Sequence, residues 1–486
     1  MKNILIRTGI SPLDNFDPAY MIVHNSIGGN VGNLVYAYGV FRTLMTEGTR
    51  MTPSYYDDKP GNIEAINEGY DCFVLPLADA FRKGFVKEMR RLTSVIRKLK
   101  IPVVIIGAGL RAPFEPHLNE GFPFDDDVKA FISAVLEKSA IIGVRGEITS
   151  AYLSRLGFRE GVDHMVIGCP SMYAFGDQLH IRRTTITPES MVCVNSSPLS
   201  PDNVRAFITR SMKQFPNNYF IPQWLSEMRL TYLGFPPLSS QKANYPGKMS
   251  DAPYMTDRVR FFLNIPTWVD FLKQADLTFG SRLHGNITSV IAGTPSLLIP
   301  KDARMRELAD YHHLTHIMAD QLTDRTNLLD VIQQCDFQEP EKYQKENFDR
   351  FIRFLDLNRL DHIYKRDNPP QSVPLDREMA KIELQPPIRP ISACDLTEMV
   401  RRWETYHVLL QKTEKKNTRK TADSVRQYQK MLQRKEKETA KLRRQLNRKS
   451  VRFVLKITNA LSKKKWNRFS LLSIVNLLAY CLQEVS

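Results

Sequence analysis

From residue 20 to about residue 320, short apolar runs alternate with longer stretches whose apolar residues recur every three or four positions. That is the pattern of strands alternating with helices in a parallel sheet. Residues 20–24 read as a first strand, followed by an Asn- and Gly-rich turn (25–33) and a helix through Leu44. Residues 72–75 form a second strand and 81–100 a basic amphipathic helix. Residues 101–106 are almost continuously apolar, as expected of a strand buried on both faces, and end in Gly107-Ala108-Gly109-Leu110-Arg111. Three aspartates, Asp125 to Asp127, suit the start of a helix over 128–138. Strand 140–144 and helix 148–156 follow, and residues 166–171 close this half.

The alternation restarts with strand 191–194, helix 201–212 and strand 219–222. A polar, Pro-containing loop over 234–254 is long enough to be a lid or an acceptor contact. A helix from Pro266 leads to strand 277–279, a break at Gly280-Ser281, a helix from His284 to Gly293 and strand 296–299, with a last strand at 315–318. Two consecutive βα halves of similar size predict an α/β protein in which two doubly wound, Rossmann-like domains face a cleft. The expected divisions are an N-terminal domain over 1–180 and a C-terminal domain over 181–370, closed by a helix at 341–364. A Pro-rich linker over 371–395 follows, then a charged helix over 396–450 and a basic, apolar tail over 451–486. Val425, Tyr428, Leu432, Lys435, Thr439, Leu442 and Leu446 follow heptad spacing, but polar members interrupt the seam. A coiled coil and a solvated single helix both fit it.

Chemistry concentrates where strand 277–279 meets its helix. Arg282, a fixed cation, and His284, a titratable imidazole, stand two residues apart at the carboxyl end of a strand, where open α/β sheets bind ligands and helix N-termini favour anions. Arg145 and Arg111 follow other strands in the first half, and Asn30, Gly32 and Asn33 lie in its glycine-rich turn. This turn is neither GxGxxG nor a Walker loop.

Ser281-Arg282-Leu283-His284-Gly285, the apolar helix, Gly293-Thr294-Pro295 and the apolar strand after them resemble the signature of the polysaccharide pyruvyl transferases. The resemblance extends to the Asn- and Gly-rich loop and to Arg145, Thr149, Leu153 and Gly157. Where the family has a lysine after the last strand, this chain has Arg304, with Asp302 before it. Where the family has an aspartate before Pro170, it has Cys169.

The resemblance implies a glycosyltransferase-B-like architecture and transfer of pyruvate from phosphoenolpyruvate to two sugar hydroxyls. The product would be a ketal on a surface or extracellular polysaccharide precursor, with phosphate released and no cofactor required. In that reading His284 is the general acid and Arg282 the main anion ligand. Arg145, Arg304 and Arg111 are further anion contacts, and Asn30, Gly32 and Asn33 line the acceptor side. A nucleotide-sugar glycosyltransferase of the same fold and a membrane-bound scaffold are the competing readings.

Charge narrows the partners. The net charge of +16 and pI near 9.4 call for something anionic, but many basic residues lie after Leu396. Anionic substrate or membrane phospholipid therefore explains the charge better than nucleic acid. Lys463-Lys464-Lys465-Trp466 followed by an apolar run over 469–482, too short to span a bilayer, suits a peripheral helix on an anionic membrane, where a lipid-linked acceptor would be met; packing in a homo-oligomer interface is the other use for it. Six scattered cysteines without CxxC spacing and an N-terminus lacking a signal-peptide core favour the cytoplasm. His312, His313 and His316 lack a carboxylate partner pattern, so no metal site is expected.

Overall fold

The computed structural model describes residues 1–58, 60–365 and 372–446. The apolar tail over 451–486, and with it the expected membrane-associated helix, lies outside the described residues. Met1–Leu409 forms one compact unit and the chain from Leu410 a second.

The first half runs β1 (Lys2–Ile6), α1 (Pro18–His24), α2 (Gly32–Leu44), β2 (Thr49–Pro53), α3 (Ile63–Gly69), β3 (Cys72–Pro76), α4 (Val86–Ile96), β4 (Val103–Ile106), α5 (Asp125–Leu136), β5 (Ile142–Val144), α6 (Glu147–Arg155) and β6 (His164–Val166). The second runs β7 (Val192–Asn195), α7 (Asp202–Met212), β8 (Asn218–Phe220), α8 (Leu225–Leu233), α9 (Ala252–Met255), α10 (Ile265–Leu272), β9 (Leu277–Gly280), α11 (Leu283–Ile291), β10 (Ser296–Leu298) and α12 (Ala303–Tyr311). Helices α13 (Leu328–Gln333), α14 (Glu339–Leu357), α15 (Pro374–Met379) and α16 (Leu396–Leu446) follow.

The first sheet has the order β2-β1-β3-β4, all parallel, and the β5-β6 pair joins beside β4 through a parallel bridge between Ala108 and Val144. The second sheet, β10-β9-β7-β8, is also parallel. Numbered within its own half, each four-stranded sheet has the order 2-1-3-4. Both are doubly wound, and together they form the glycosyltransferase-B-like arrangement. Side-chain alternation explains how each strand serves two layers. Val103 and Ile105 pack with Met89, Leu92, Val128 and Phe131 of α4 and α5, whereas Val104 and Ile106 join the core around α2. In β7, Val192 and Val194 meet Val204 and Phe207 of α7, while Cys193 faces the other way into the larger core.

Three expectations need correction. Residues 20–24 are helix, not strand: the Asp17 carboxylate accepts from Ala19 N at 2.7 Å and Pro18 opens the first turn. The first strand is instead Lys2–Ile6, and the glycine-rich turn joins two helices. Residues 315–318 add only an isolated bridge, His316 to Leu298. The described part of the Pro-rich segment, from residue 372, is folded onto the body. It contains α15, whose Asp376 pairs with Arg42 at 2.7 Å, and Ile388 bridges to Phe261. The polar loop over 234–254 is likewise anchored, with Leu238 and Tyr245 buried. Helix α16 begins against the body, Trp403 Nε1 donating to Leu233 O at 3.1 Å, and from Gln411 its described side chains are mostly exposed.

Candidate active site

In a 2-1-3-4 sheet the connections leave the first and third strands in opposite directions, which opens a crevice at their carboxyl ends. In the first half those ends carry Arg7-Thr8 after β1 and Leu77-Ala78-Asp79 after β3. In the second they carry Asn195-Ser196 after β7 and Ser281 to His284 after β9. The two crevices meet in a cavity of about 440 Å3 whose walls include Arg7, Asn30, Asn33, Tyr36, Tyr56, Asp79, Arg82, His284 and Arg304.

Gly280, at φ 148°, brings the end of β9 against the Asn195 backbone, where a Cβ would collide. Asn195 Oδ1 then accepts from Arg282 N at 2.9 Å and from Asn286 Nδ2 at 3.0 Å, fixing the start of α11. This aims His284 into the cavity. Its Nε2 lies 3.9 Å from Cys169 Sγ, and its ring meets Tyr36 edge-on at 6.3 Å. Burial, then the charges of Arg145 and Arg304, hold the imidazole well below its ordinary pKa, which favours the neutral ring. Gly32 is required by close approach: a Cβ there would stand 2.6 Å from His284 Nδ1.

Arg282 is differently placed. Its guanidinium is 5 % exposed and does not line the cavity. It donates to Ser196 O, to Glu227 Oε1 at 2.6 Å and to Tyr245 Oη at 3.1 Å, and it lies 4.8 Å from the Trp224 ring. Glu227 Oε2 meanwhile accepts from the Gln223 and Trp224 amides, at 2.8 and 2.7 Å. Arg282 thus ties β7, α8 and the 234–254 loop to the turn that carries His284. Arg145 is fully buried behind Tyr36, donating from Nε to Gly107 O at 3.0 Å. Arg304 does line the cavity, 3.5 Å from Asp79 and 3.4 Å from Asp302. Arg111, at the rim, is 3.8 Å from Asp79. Asn30 and Asn33 line the cavity, with Asn30 Oδ1 capping Gly32 N at 2.7 Å and Asn33 Nδ2 bonded to Ile27 O at 2.9 Å. The structure therefore brings His284, Arg304, Asn30 and Asn33 to one cavity, keeps Arg111 at its edge, and sets Arg282 and Arg145 behind the walls.

Of four further charged residues that the sequence pattern does not single out, Arg7 and Arg82 line the cavity and Lys301 and Glu307 do not. Arg7 pairs with Glu88 at 2.7 Å and Asp58 at 3.3 Å, and Arg82 Nε bonds the Asp79 carbonyl at 3.0 Å. Lys301 lies beside Arg304, its ammonium pushed down to about 7 by burial and by the neighbouring Arg282 charge. Glu307, on α12, reaches across to α6, accepting from Thr149 N at 2.9 Å and Oγ1 at 2.8 Å, and burial raises it to about 7. Recognising Lys2–Ile6 as β1 would have found Arg7, by the strand-end rule that found Arg282. Among the described residues, no three His, Cys, Asp or Glu side chains converge as metal ligands would.

Two opposed doubly wound halves with a cation-lined crevice define a glycosyltransferase-B-like α/β protein. The family model described as polysaccharide pyruvyl transferase matches residues 52–302, just over half of the 486 residues, and the chain belongs to that family. A search of the curated proteins finds no match. Among solved structures, the UDP-GlcNAc 2-epimerase of Methanocaldococcus jannaschii, in complex with UDP-GlcNAc and UDP, is similar at 12 % identity over 73 % of this chain and 99 % of that one, with a TM-score of 0.41. A putative UDP-N-acetylglucosamine 2-epimerase from Listeria monocytogenes is similar at 12 % identity over 74 % and 97 %, with a TM-score of 0.39.

Proposed function

We propose that this protein transfers pyruvate from phosphoenolpyruvate to two hydroxyls of a sugar in a polysaccharide precursor, forming a ketal and releasing phosphate. The observation that carries this reading is the imidazole of His284 set among Arg7, Arg82 and Arg304 on the walls of one cavity. The donor carries a phosphate and a carboxylate, and guanidinium groups suit both. Arg304 is the nearest ligand for these charges, with Lys301 and Arg111 beside it. Arg282 acts by holding the His284 turn, and Arg145 by backing Tyr36.

A bound polyanion reverses the electrostatics at His284. Its negative charges offset those of Arg145 and Arg304, raise the imidazole pKa and so supply the proton the reaction needs. Protonated His284 gives that proton to C3 of the enol, C2 becomes cation-like, and the first sugar hydroxyl adds there while its proton returns to the imidazole. Phosphate then leaves with its C–O bond electrons. The second hydroxyl closes the ketal at C2 and loses its proton to the departing phosphate or to solvent. Asn30 and Asn33 face the acceptor. The chemistry calls for no cofactor beyond the donor. No described helix is long and apolar enough to cross a membrane; the basic tail would hold the enzyme peripherally, at a cytoplasmic membrane face bearing a lipid-linked acceptor.

Purified protein, labelled phosphoenolpyruvate and a panel of aryl and lipid-linked glycosides should yield phosphate and a pyruvylated sugar. His284→Gln should lower turnover by at least 100-fold. Full activity in that variant would refute the acid assignment, and binding of a uridine or guanosine diphosphate sugar without affinity for phosphoenolpyruvate would favour glycosyl transfer.

A further inference from the structure

Between β2 and α3 the chain makes a turn at Ser54–Asp57 in which Tyr55 and Tyr56 are consecutive and both left-handed, at φ 48° and 56°. Such a backbone is strained for a bulky residue, and asparagine or glycine would hold it with less strain. The turn is nonetheless tightly fixed: Asp57 N donates to Ser54 O at 2.8 Å, Tyr56 N to Ser54 Oγ at 3.2 Å, and Ser54 N to Ile6 O at 2.8 Å. Tyr56 uses its position, lining the catalytic cavity with Arg7 5.1 Å from its ring. Tyr55 gains no comparable packing. It is 50 % exposed, and its hydroxyl is anchored by Asp14 at 3.1 and 3.2 Å. Held by the turn and by Asp14, it is a rigid platform with half its surface in water.

That platform lines a second depression, of about 650 Å3, between the β2 edge of the sheet and α3. Arg50, Thr52, Asn62 and Tyr70 share its walls, so two aromatic rings stand among hydrogen-bonding side chains, the composition that suits sugar rings with apolar faces and hydroxyl edges. Tyr56 lines the cleft and the next residue, Tyr55, lines this depression, so the two hollows lie on either side of one turn. We propose that this groove is a second saccharide subsite, which takes acceptor sugar units beyond the one being modified, with Tyr55 as the stacking surface and Arg50 and Asn62 as hydroxyl ligands. The proposal rests on the pyruvyl-transfer reading, and it makes the acceptor an oligosaccharide rather than a single sugar.

The test uses the full chain and a ladder of labelled gluco-, galacto- and manno-oligosaccharides of one to six units. Phosphate release from phosphoenolpyruvate gives the acceptor KM at each length. Longer acceptors should have the lower KM, and Tyr55→Gly should reduce that advantage about 5- to 10-fold, the scale of one aromatic contact. Tyr55→Asn, which also tolerates the left-handed backbone, gives the same answer if the glycine variant misfolds. A wild-type protein without length preference, or a preference that survives both substitutions, overturns the proposal. If no acceptor of any length is pyruvylated, the pyruvyl-transfer reading fails first, and direct binding of the same ladder by fluorescence polarisation judges the groove. Binding weakened by the Tyr55 variants sustains it, and no binding at millimolar sugar, or binding that the variants leave unchanged, overturns it.

Discussion

Glu307 offers a measurement that depends on no assumption about the substrate. Its carboxyl is fully enclosed between α12 and α6, and burial raises it from the ordinary 4.5 to about 7 despite the two hydrogen bonds from Thr149. Below pH 4.5 the folded and unfolded chains both hold this proton. Between 4.5 and 7 only the folded chain keeps it, so the unfolded state binds fewer protons and stability falls as pH rises through that window. The span corresponds to about 3 kcal/mol at 1.36 kcal/mol per unit. For the 409 residues of the compact unit, at about 2.1 cal/mol/K per residue, the entropy of unfolding is on the order of 0.9 kcal/mol/K, and 3 kcal/mol becomes about 4 °C in Tm. Glu307→Gln keeps the shape and cannot ionise. Calorimetric scans from pH 5 to 8 should show variant and wild type within about 1 °C at pH 5, and the variant gaining by about 4 °C at pH 8. Taking the difference at each pH removes other titrating groups. A difference that stays flat, or that turns against the variant as pH rises, would refute the claim that this carboxyl is held protonated.

Arg282→Met leaves Glu227 as an unpaired buried charge and should cost about 3–5 kcal/mol, with Glu227→Gln in the same chain recovering part of it in a denaturant-unfolding cycle. Gly32→Ala forces a methyl to within 2.6 Å of the His284 ring; by displacing the imidazole it should lower turnover about 100-fold while the circular dichroism spectrum stays the same. Because burial holds His284 below its ordinary pKa, kcat/KM should rise as pH falls towards that depressed pKa. The limb in kcat should lie at higher pH, since bound donor raises that pKa, and coincident limbs would refute the electrostatic account.

The β9–α11–β10 unit was readable because an apolar run, a glycine break and a helical repeat follow one another within some twenty residues. The first strand was not. Lys2–Ile6 has only three apolar residues behind a lysine and an asparagine, whereas Tyr20-Met21-Ile22-Val23 makes a better strand by composition, and its helical fate is set by Asp17 and Pro18 upstream. That exchange hid Arg7, because a strand-end rule finds nothing where no strand is drawn. The setting of Arg282 was illegible for another reason: its partners Glu227 and Tyr245 lie 55 and 37 residues away, in a helix and a loop without distinguishing pattern. The residue types at the site could be read locally, but which of them face the substrate is decided by contacts that only the folded chain makes.

The glycine-rich loop of the first half is stitched to the second by two backbone bonds, Val31 N to Gln223 O at 2.8 Å and Leu225 N to Gly29 O at 3.0 Å, beside the close-packed core around α2. Helix α12 grips the first half as well, Glu307 accepting from Thr149 N at 2.9 Å and His312 Nε2 from Cys169 N at 2.8 Å. Mechanically the cleft is sewn along two seams, one at Gly29–Val31 and one along α12, and is a box of fixed span more than a book with one hinge. Arg304, beside the second seam, and His284, beside the first, therefore keep their places across the cavity as substrate enters.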